Sequence, residues 1–300
     1  MTFDVVGFGA LNLDKLYKVN MIAKKEEEGA VLDFKESAGG SAANTIVGLA
    51  RLELETGFIG KVAADREGNF LLDEFRKEGV DINGITVSEK GRSGTVIGFI
   101  DPKGDRALYV DPAVNDQIDF KGINLDYVSD TKFLHLSSFV GEKPFKAQKQ
   151  LIEQLSSVKI SFDPGALYAR KGLMALKPII RRSYVIFPNR IEVKLLTGQD
   201  YREGAETFTE MGVDLVAVKL GKQGCYVTDG KESYLIEEYN VEAIDTTGAG
   251  DAFCAGFLYG LIRGRDLYEC GKLGNFVASR CILKMGARTG LPRLEELKNL

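Results

Sequence analysis

The chain has 300 residues, 44% of them hydrophobic, and a formal net charge of −4. That is apolar material for one large domain or two ordinary ones. No basic face stands out from the acidic background, so nucleic acid is not expected as a main partner, and the longest apolar runs are too short to cross a bilayer.

Phe3 to Gly9 reads as a short apolar strand, so the N-terminus looks like the start of a fold and not a signal peptide. Asn12 and Asp14 follow its end. Leu16–Val19 and Ala30–Lys35 read as strands around a charged loop, and Ser41–Leu54 as a helix on the spacing of Ala42, Ile46, Leu49 and Ala50. Thr56–Lys61 is a strand and Arg66–Lys77 a helix. Thr95–Ile100 and Arg106–Val110 form a hairpin across the turn Asp101-Pro102-Lys103-Gly104-Asp105.

Beyond about Lys121 the pattern becomes regular. Strands at Phe133–Leu136, Lys159–Phe162, Tyr184–Phe187 and Leu215–Lys219 alternate with helical patterns at Ala147–Leu155, Leu173–Arg181 and Arg202–Met211. Such alternation predicts a parallel sheet with crossover helices. A short hairpin follows (Gly224–Thr228, Ser233–Ile236), then long helices over Gly250–Arg263 and Leu267–Met285. The four early strands fall outside the alternation and are expected to form a separate small sheet over one edge of a cleft.

Cys225, Cys254, Cys270 and Cys281 form no CxxC pair and read as free thiols of a reducing, cytoplasmic protein. The only histidine, His135, lies in a strand and reads as a core histidine, which argues against zinc. No GxxxxGK[ST] phosphate loop is present. Gly7-Phe8-Gly9 lacks the third glycine of the dinucleotide fingerprint, which argues against a dehydrogenase.

Two glycine clusters carry the chemistry. Asp245-Thr246-Thr247-Gly248-Ala249-Gly250-Asp251 leads into an almost wholly apolar helix. Such a joint offers free amides at a helix N-terminus and so an anion site. Asp251 is then either a working carboxylate of that site or an ordinary helix-start carboxylate. Gly39-Gly40-Ser41-Ala42-Ala43-Asn44 precedes another helix. With Asp14 it could meet a polyhydroxylated ligand beyond the strand ends.

These two segments resemble the signatures of the ribokinase-like (PfkB) carbohydrate kinases. Gly60-Lys61-Val62-Ala63-Ala64-Asp65-Arg66-Glu67-Gly68, Pro188-Asn189-Arg190-Ile191-Glu192 and Lys219-Leu220-Gly221-Lys222-Gln223-Gly224 are similar to other motifs of that family, in its order. The resemblance covers essentially all 300 residues. It implies a single domain, a three-layer α/β/α sandwich with a mostly parallel sheet, and a β lid from about 15–36 and 94–111.

It further implies a phosphotransferase that moves the terminal phosphoryl group of a nucleotide, usually ATP and in some members ADP, to a hydroxymethyl group. Asp251 would be the base, and the amides of Gly248, Ala249 and Gly250 the anion hole. Asn12, Asp14, Gly39, Gly40, Asn44, Arg106 and Glu142 would face the acceptor. Asn189, Lys219, Gly221, Gly224 and Asn275, with Gly248 and Gly250, would face the nucleotide. Asn189 and Glu192 would organise Mg²⁺ through water, or be no more than a helix cap with a surface acid. Asp245, Thr247 and Gly286 resemble a monovalent-cation (K⁺) site that not all members have.

The acceptor is expected to be a ribose-like sugar, with a nucleoside or a phosphorylated or acidic sugar as the alternatives. Leu16, Tyr17, Phe99 and Tyr109 could face a base or pack the lid. Ser41 stands where ribokinases proper commonly have lysine. The lid implies either a lid-to-lid dimer or a monomer. A non-catalytic sugar or nucleotide sensor on the same fold is the alternative from another class.

Overall fold

The computed structural model describes residues 2–103 and 105–297, Arg106 by its backbone alone. β1 (Val5–Phe8), β2 (Asn12–Val19) and β3 (Val31–Gly39) lead into α1 (Ser41–Arg51). β4 (Thr56–Ala63), α2 (Arg66–Lys77), β5 (Ile85–Ser88), β6 (Gly94–Ile100) and β7 (Arg106–Asp111) follow. Then come α3 (Leu125–Val128), β8 (Phe133–Ser137), α4 (Glu142–Gln154), β9 (Lys159–Asp163), α5 (Gly165–Ala169), α6 (Leu173–Arg182) and β10 (Ser183–Ile186). The chain ends with α7 (Arg190–Thr197), α8 (Tyr201–Glu210), β11 (Leu215–Lys219), β12 (Cys225–Thr228), β13 (Ser233–Ile236), α9 (Ala249–Ile262), α10 (Leu267–Cys281) and α11 (Leu294–Leu297).

The strands make two sheets. The large one has the order β13-β12-β11-β10-β9-β8-β1-β4-β5. It is parallel from β11 to β5, and β12 and β13 add an antiparallel edge. Because side chains alternate across each strand, the apolar strands feed two cores. One core lies under α1, α2, α9 and α10, and the other under α4, α6, α7 and α8. The result is the expected α/β/α sandwich.

The early strands form the second sheet, β3-β2-β6-β7. Its centre is not a hairpin: β2 pairs with β6 in parallel, so two antiparallel pairs are joined side by side. The register puts Asp14 opposite Ser37 and Val96, and Val96 opposite Val110, on one face. Tyr17 sits opposite Phe34 and Phe99, and Ile97 opposite Tyr109, on the other. Their rings run Phe34–Tyr17–Phe99–Tyr109 at centroid spacings of 4.7, 5.6 and 6.4 Å. Tyr17, Phe99 and Tyr109 therefore turn away from the Asp14 face, and only Leu16 of the four lid candidates shares it.

The expected helix to Met285 stops at Cys281. The carbonyl of Ile282 instead accepts from the amides of Ile244 (2.8 Å) and Asp245 (3.2 Å), which ties the approach to α9 onto the end of α10.

Candidate active site

α9 starts where it does because Gly248 is left-handed, at φ 79° and ψ −1°. A β-carbon there would strain the backbone and lie 2.6 Å from Ala287 Cβ, so only glycine makes this turn. The Ala249 amide donates back to the Thr246 carbonyl at 3.3 Å, so this one of the three expected amides is already engaged in the turn. Beyond it α9 is apolar nearly all round, as a helix sandwiched between neighbours must be. Gly48 of α1 admits Ala255 of α9, which would lie 2.8 Å from a β-carbon on Gly48.

That close approach brings the two helix N-termini together. Thr45 Oγ1 donates to the Asp251 carbonyl at 3.2 Å. Ser41 Oγ donates to Asp251 Oδ1 at 2.7 Å, and Asn44 Nδ2 to Asp251 Oδ2 at 2.8 Å. Burial lifts the Asp251 carboxyl to about 6, against the pull of these two donors. Asp14, packed against Gly39, is lifted to about 7 by burial; Arg288 draws it back and Asp251 adds to the rise. Arg288 donates from Nε to Asn44 Oδ1 at 2.8 Å and from Nη2 to the Gly39 carbonyl at 3.4 Å. Burial brings its own pKa down to about 10.

A cavity lies on either side of this junction. One, of about 390 Å³, is lined by Asn189, Lys219, Gly221, Gly224, Gly250 and Asn275, with Tyr239 and Phe253 as apolar walls. Lys219 Nζ sits beside Gly250 and pairs with the buried Asp163 at 2.6 Å. Burial opposes the Lys219 ammonium, but the charge and hydrogen bond of Asp163 together with the nearby Cys254 and Glu192 hold its pKa above the usual lysine range. Asn275 is spoken for: Nδ2 donates to the carbonyls of Ile236 and Glu237, both at 3.0 Å.

Asn189 and Glu192 form a reciprocal capping box at the start of α7. Glu192 Oε2 accepts from the Asn189 amide at 2.8 Å, and Asn189 Oδ1 from the Glu192 amide at 2.9 Å. The acid is nonetheless buried, not at the surface. Burial, then the nearby charge of Asp163, raises its pKa.

The second cavity, of about 160 Å³, is lined by Asn12, Gly40, Ser41, Asn115 and Asp116, and by Val110 of the lid. Asn12 Oδ1 accepts from Asn115 Nδ2 at 3.0 Å. Asp14, Gly39 and Asn44 do not line this cavity; they gather around Arg288, with Gly39 next in the chain to Gly40 and Asn44 hydrogen-bonded to Asp251. Glu142 does not join them: it pairs with Lys171 and lines neither cavity. The side chain of Arg106 lies outside the described residues. Asp245, Thr247 and Gly286 do come together: Asp245 Oδ1 accepts from the Thr247 amide and hydroxyl, and Oδ2 from the Gly286 amide at 2.9 Å. His135 is a core histidine, held by Ser161 at 2.8 Å and kept neutral by burial, which lowers its pKa to about 4.

Four residues at the site carried no expected role. Ser41 lies within the recognised glycine cluster, but only the fold shows it bonded to Asp251, 210 positions away. Asp163 ends a strand beside the cavity, where an open α/β sheet puts its ligands, so its position was a usable signal. Asn115 and Arg288 lie in segments without periodic pattern, and nothing local marks them.

The pfkB family carbohydrate kinase pattern matches residues 3–294. An uncharacterized sugar kinase of Archaeoglobus fulgidus is 47% identical over 250 residues, 82% of this chain and 99% of that protein. A ribokinase of Staphylococcus aureus is 29% identical over the whole of both chains. The crystal structure of a ribokinase from Thermotoga maritima superposes with a TM-score of 0.89 at 25% identity, over 99% of this chain and 98% of that one. With the match running almost from end to end, this chain belongs to the PfkB family of carbohydrate kinases.

Proposed function

We propose that the chain transfers the terminal phosphoryl group of a nucleoside triphosphate to a hydroxymethyl group of a small, ribose-like sugar. The observation that carries this reading is the position of Asp251: a half-buried carboxylate on the first turn of α9, next to Gly250 of the larger cavity and bonded to Ser41 of the smaller one. The nucleotide is assigned to the larger space. The smaller one, at about 160 Å³, is well below the roughly 300–1,000 Å³ of sites for drug-sized ligands. That favours a simple sugar over a nucleoside.

Phosphoryl transfer passes through a loose transition state, so the protein mostly positions groups and balances charge. The acceptor oxygen bonds to phosphorus as the bond to the leaving nucleotide oxygen breaks. The hydroxyl proton goes to Asp251, which is ionised above about pH 6. Amides of Gly248 and Gly250, at the positive end of α9, face the charge on the moving group, and Lys219 adds a cation beside Gly250. Val110 brings the lid to the rim of the acceptor cavity, which serves to exclude water as a competing acceptor.

The residues fit a magnesium ion that keeps its waters. Among the described residues there is no cluster of three or more His, Cys, Asp or Glu to cage a metal directly. Glu192 is a buried carboxylate whose charge burial and Asp163 disfavour, so a nearby divalent cation would relieve it. Asn189 and Glu192 would hold the ion through those waters, and when bound it neutralises donor phosphate charge. The Asp245 position is different. The Gly286 amide, not a carbonyl, faces Asp245, which makes a hydrogen-bond clasp.

Phe34, Ile97 and Tyr109 leave exposed apolar surface on the outer lid face, which supports a lid-to-lid homodimer. Four buried, unpaired thiols support a cytoplasmic protein; among the described residues no helix is long and apolar enough to cross a membrane.

The test is nucleotide turnover with ATP and with ADP against ribose, phosphorylated ribose, sugar acids and nucleosides. Turnover confined to small sugars with ATP supports the reading. Tight acceptor binding with no product from any pair favours a sensor.

A further inference from the structure

The carboxylate of Asp251 is held by an amide whose own orientation has a cause. An asparagine side chain has an acceptor end and a donor end, and a guanidinium has donors only. Arg288 Nε donates to Asn44 Oδ1 at 2.8 Å. The NH₂ end of Asn44 is thereby turned to Asp251 Oδ2, also at 2.8 Å. The flipped amide would set NH₂ against guanidinium and oxygen against carboxylate, two repulsive contacts in place of two hydrogen bonds.

Arg288 is itself fixed. Arg51 Nη1 donates to the carbonyls of Arg288 (2.6 Å) and Leu291 (3.0 Å). Glu78 grips Arg51 with both oxygens, at 2.9 and 2.6 Å. The Arg288 guanidinium lies over the Phe75 ring, 5.5 Å from its centroid. Its hydrogen bonds go to neutral oxygens, Asn44 Oδ1 and the Gly39 carbonyl. Arg51 also ends α1, the helix that presents Ser41 and Asn44. Both ends of one helix thus serve the same carboxylate.

We propose that Arg288 is a positioning residue for phosphoryl transfer: acting through Asn44, it sets the donor edge that aims the Asp251 carboxylate at the acceptor hydroxyl. This rests on the reading of Asp251 as the base. It also means that Asn44 Oδ1 is engaged and does not accept from the sugar.

The test is steady-state kinetics of the full chain with ATP and ribose, or the panel member of highest turnover if that is another sugar. The variants are Arg288→Met, Arg288→Lys, Asn44→Ala, the double variant Arg288→Met/Asn44→Ala, and Asp251→Asn as control. Displacing a reacting group by about 1 Å can lower rates about 10²-fold, and a loss of that order in kcat is expected for Arg288→Met. The acceptor KM should stay within about threefold, the signature of a group that does not bind substrate. Lysine, with a donor of its own for Asn44 Oδ1, should recover about tenfold of the loss. The double variant should be no slower than Asn44→Ala alone, because the two act in series.

Unchanged kcat in Arg288→Met, a rise in KM alone, or additive losses in the double variant each overturn the proposal. Should Arg288→Met fail to fold by its melting curve, Arg288→Ala, which also removes the donor to Asn44 Oδ1, replaces it with the same criteria. If Asp251→Asn is inactive while Arg288→Met turns over normally, only this inference falls. If Asp251→Asn is fully active, the reading of Asp251 falls with it.

Discussion

Replacing Ser41 by alanine tests how the base is tuned. Its hydroxyl donates to Asp251 Oδ1 at 2.7 Å. A hydrogen bond to a charged group contributes about 1.5–3 kcal/mol. At 1.36 kcal/mol per pKa unit this corresponds to about one to two units. Ser41 lines a cavity, so water can take over part of that role, and the Asn44 bond remains. A rise of about one unit follows, from about 6 to roughly 7. The assay is the acid limb of kcat/KM between pH 5 and 9, which reports ionisations of the free enzyme. At pH 6.5 the ionised fraction should fall about threefold, while the rates converge near pH 9. Asp14 titrates nearby, at about 7, and the Asp251 charge is one cause of its rise, so the same comparison is made in an Asp14→Asn background, where that second titration is removed. Superimposable limbs, or a limb displaced to lower pH, would refute the argument.

Three other outcomes are expected. Asp14 is raised to about 7, so between pH 4 and 7 the folded chain holds a proton that the unfolded chain has lost. Its contribution to stability therefore falls as pH rises, by up to about 4 kcal/mol in all; Asp14→Asn should flatten the fall in melting temperature between pH 5 and pH 8. Glu192→Gln removes the acid assigned to the hydrated metal, so the magnesium concentration for half-maximal rate should rise about tenfold or more in a titration of turnover against Mg²⁺. Tyr109→Lys charges the exposed outer face of the lid and should shift sedimentation from dimer to monomer; a wild-type chain that already sediments as a monomer contradicts the lid-to-lid reading.

The sandwich was legible because its signals are local. The strict alternation after residue 121 gave the parallel strands and their helices, and the continuous apolar run after Gly250 announced a helix buried on all sides. The lid faces were not read, because the first lid strand was expected only from Leu16; β2 in fact begins at Asn12, so Asp14 and Tyr17, three apart on one strand, lie on opposite faces. β5 was missed because it is a short edge strand with mostly half-exposed or exposed side chains, which leave no periodic pattern. The end of α10 was misjudged because the carbonyl of the next residue, Ile282, bonds to the amides of residues 244 and 245, a tertiary choice that overrides helical propensity. The glycine clusters located Asp251, but not what holds it: Ser41, Asn44 and Arg288 meet only when α1, α9 and the segment after α10 are folded together.

The most direct measurement is single-turnover phosphoryl transfer by Asp251→Asn beside the wild type, with acceptor binding followed separately by calorimetry. General-base removal of this kind lowers rates by about 10²–10⁴. The account predicts a loss in that range, with the acceptor bound within a few-fold of the wild-type affinity and the melting curve intact. Transfer at close to the wild-type rate would contradict it.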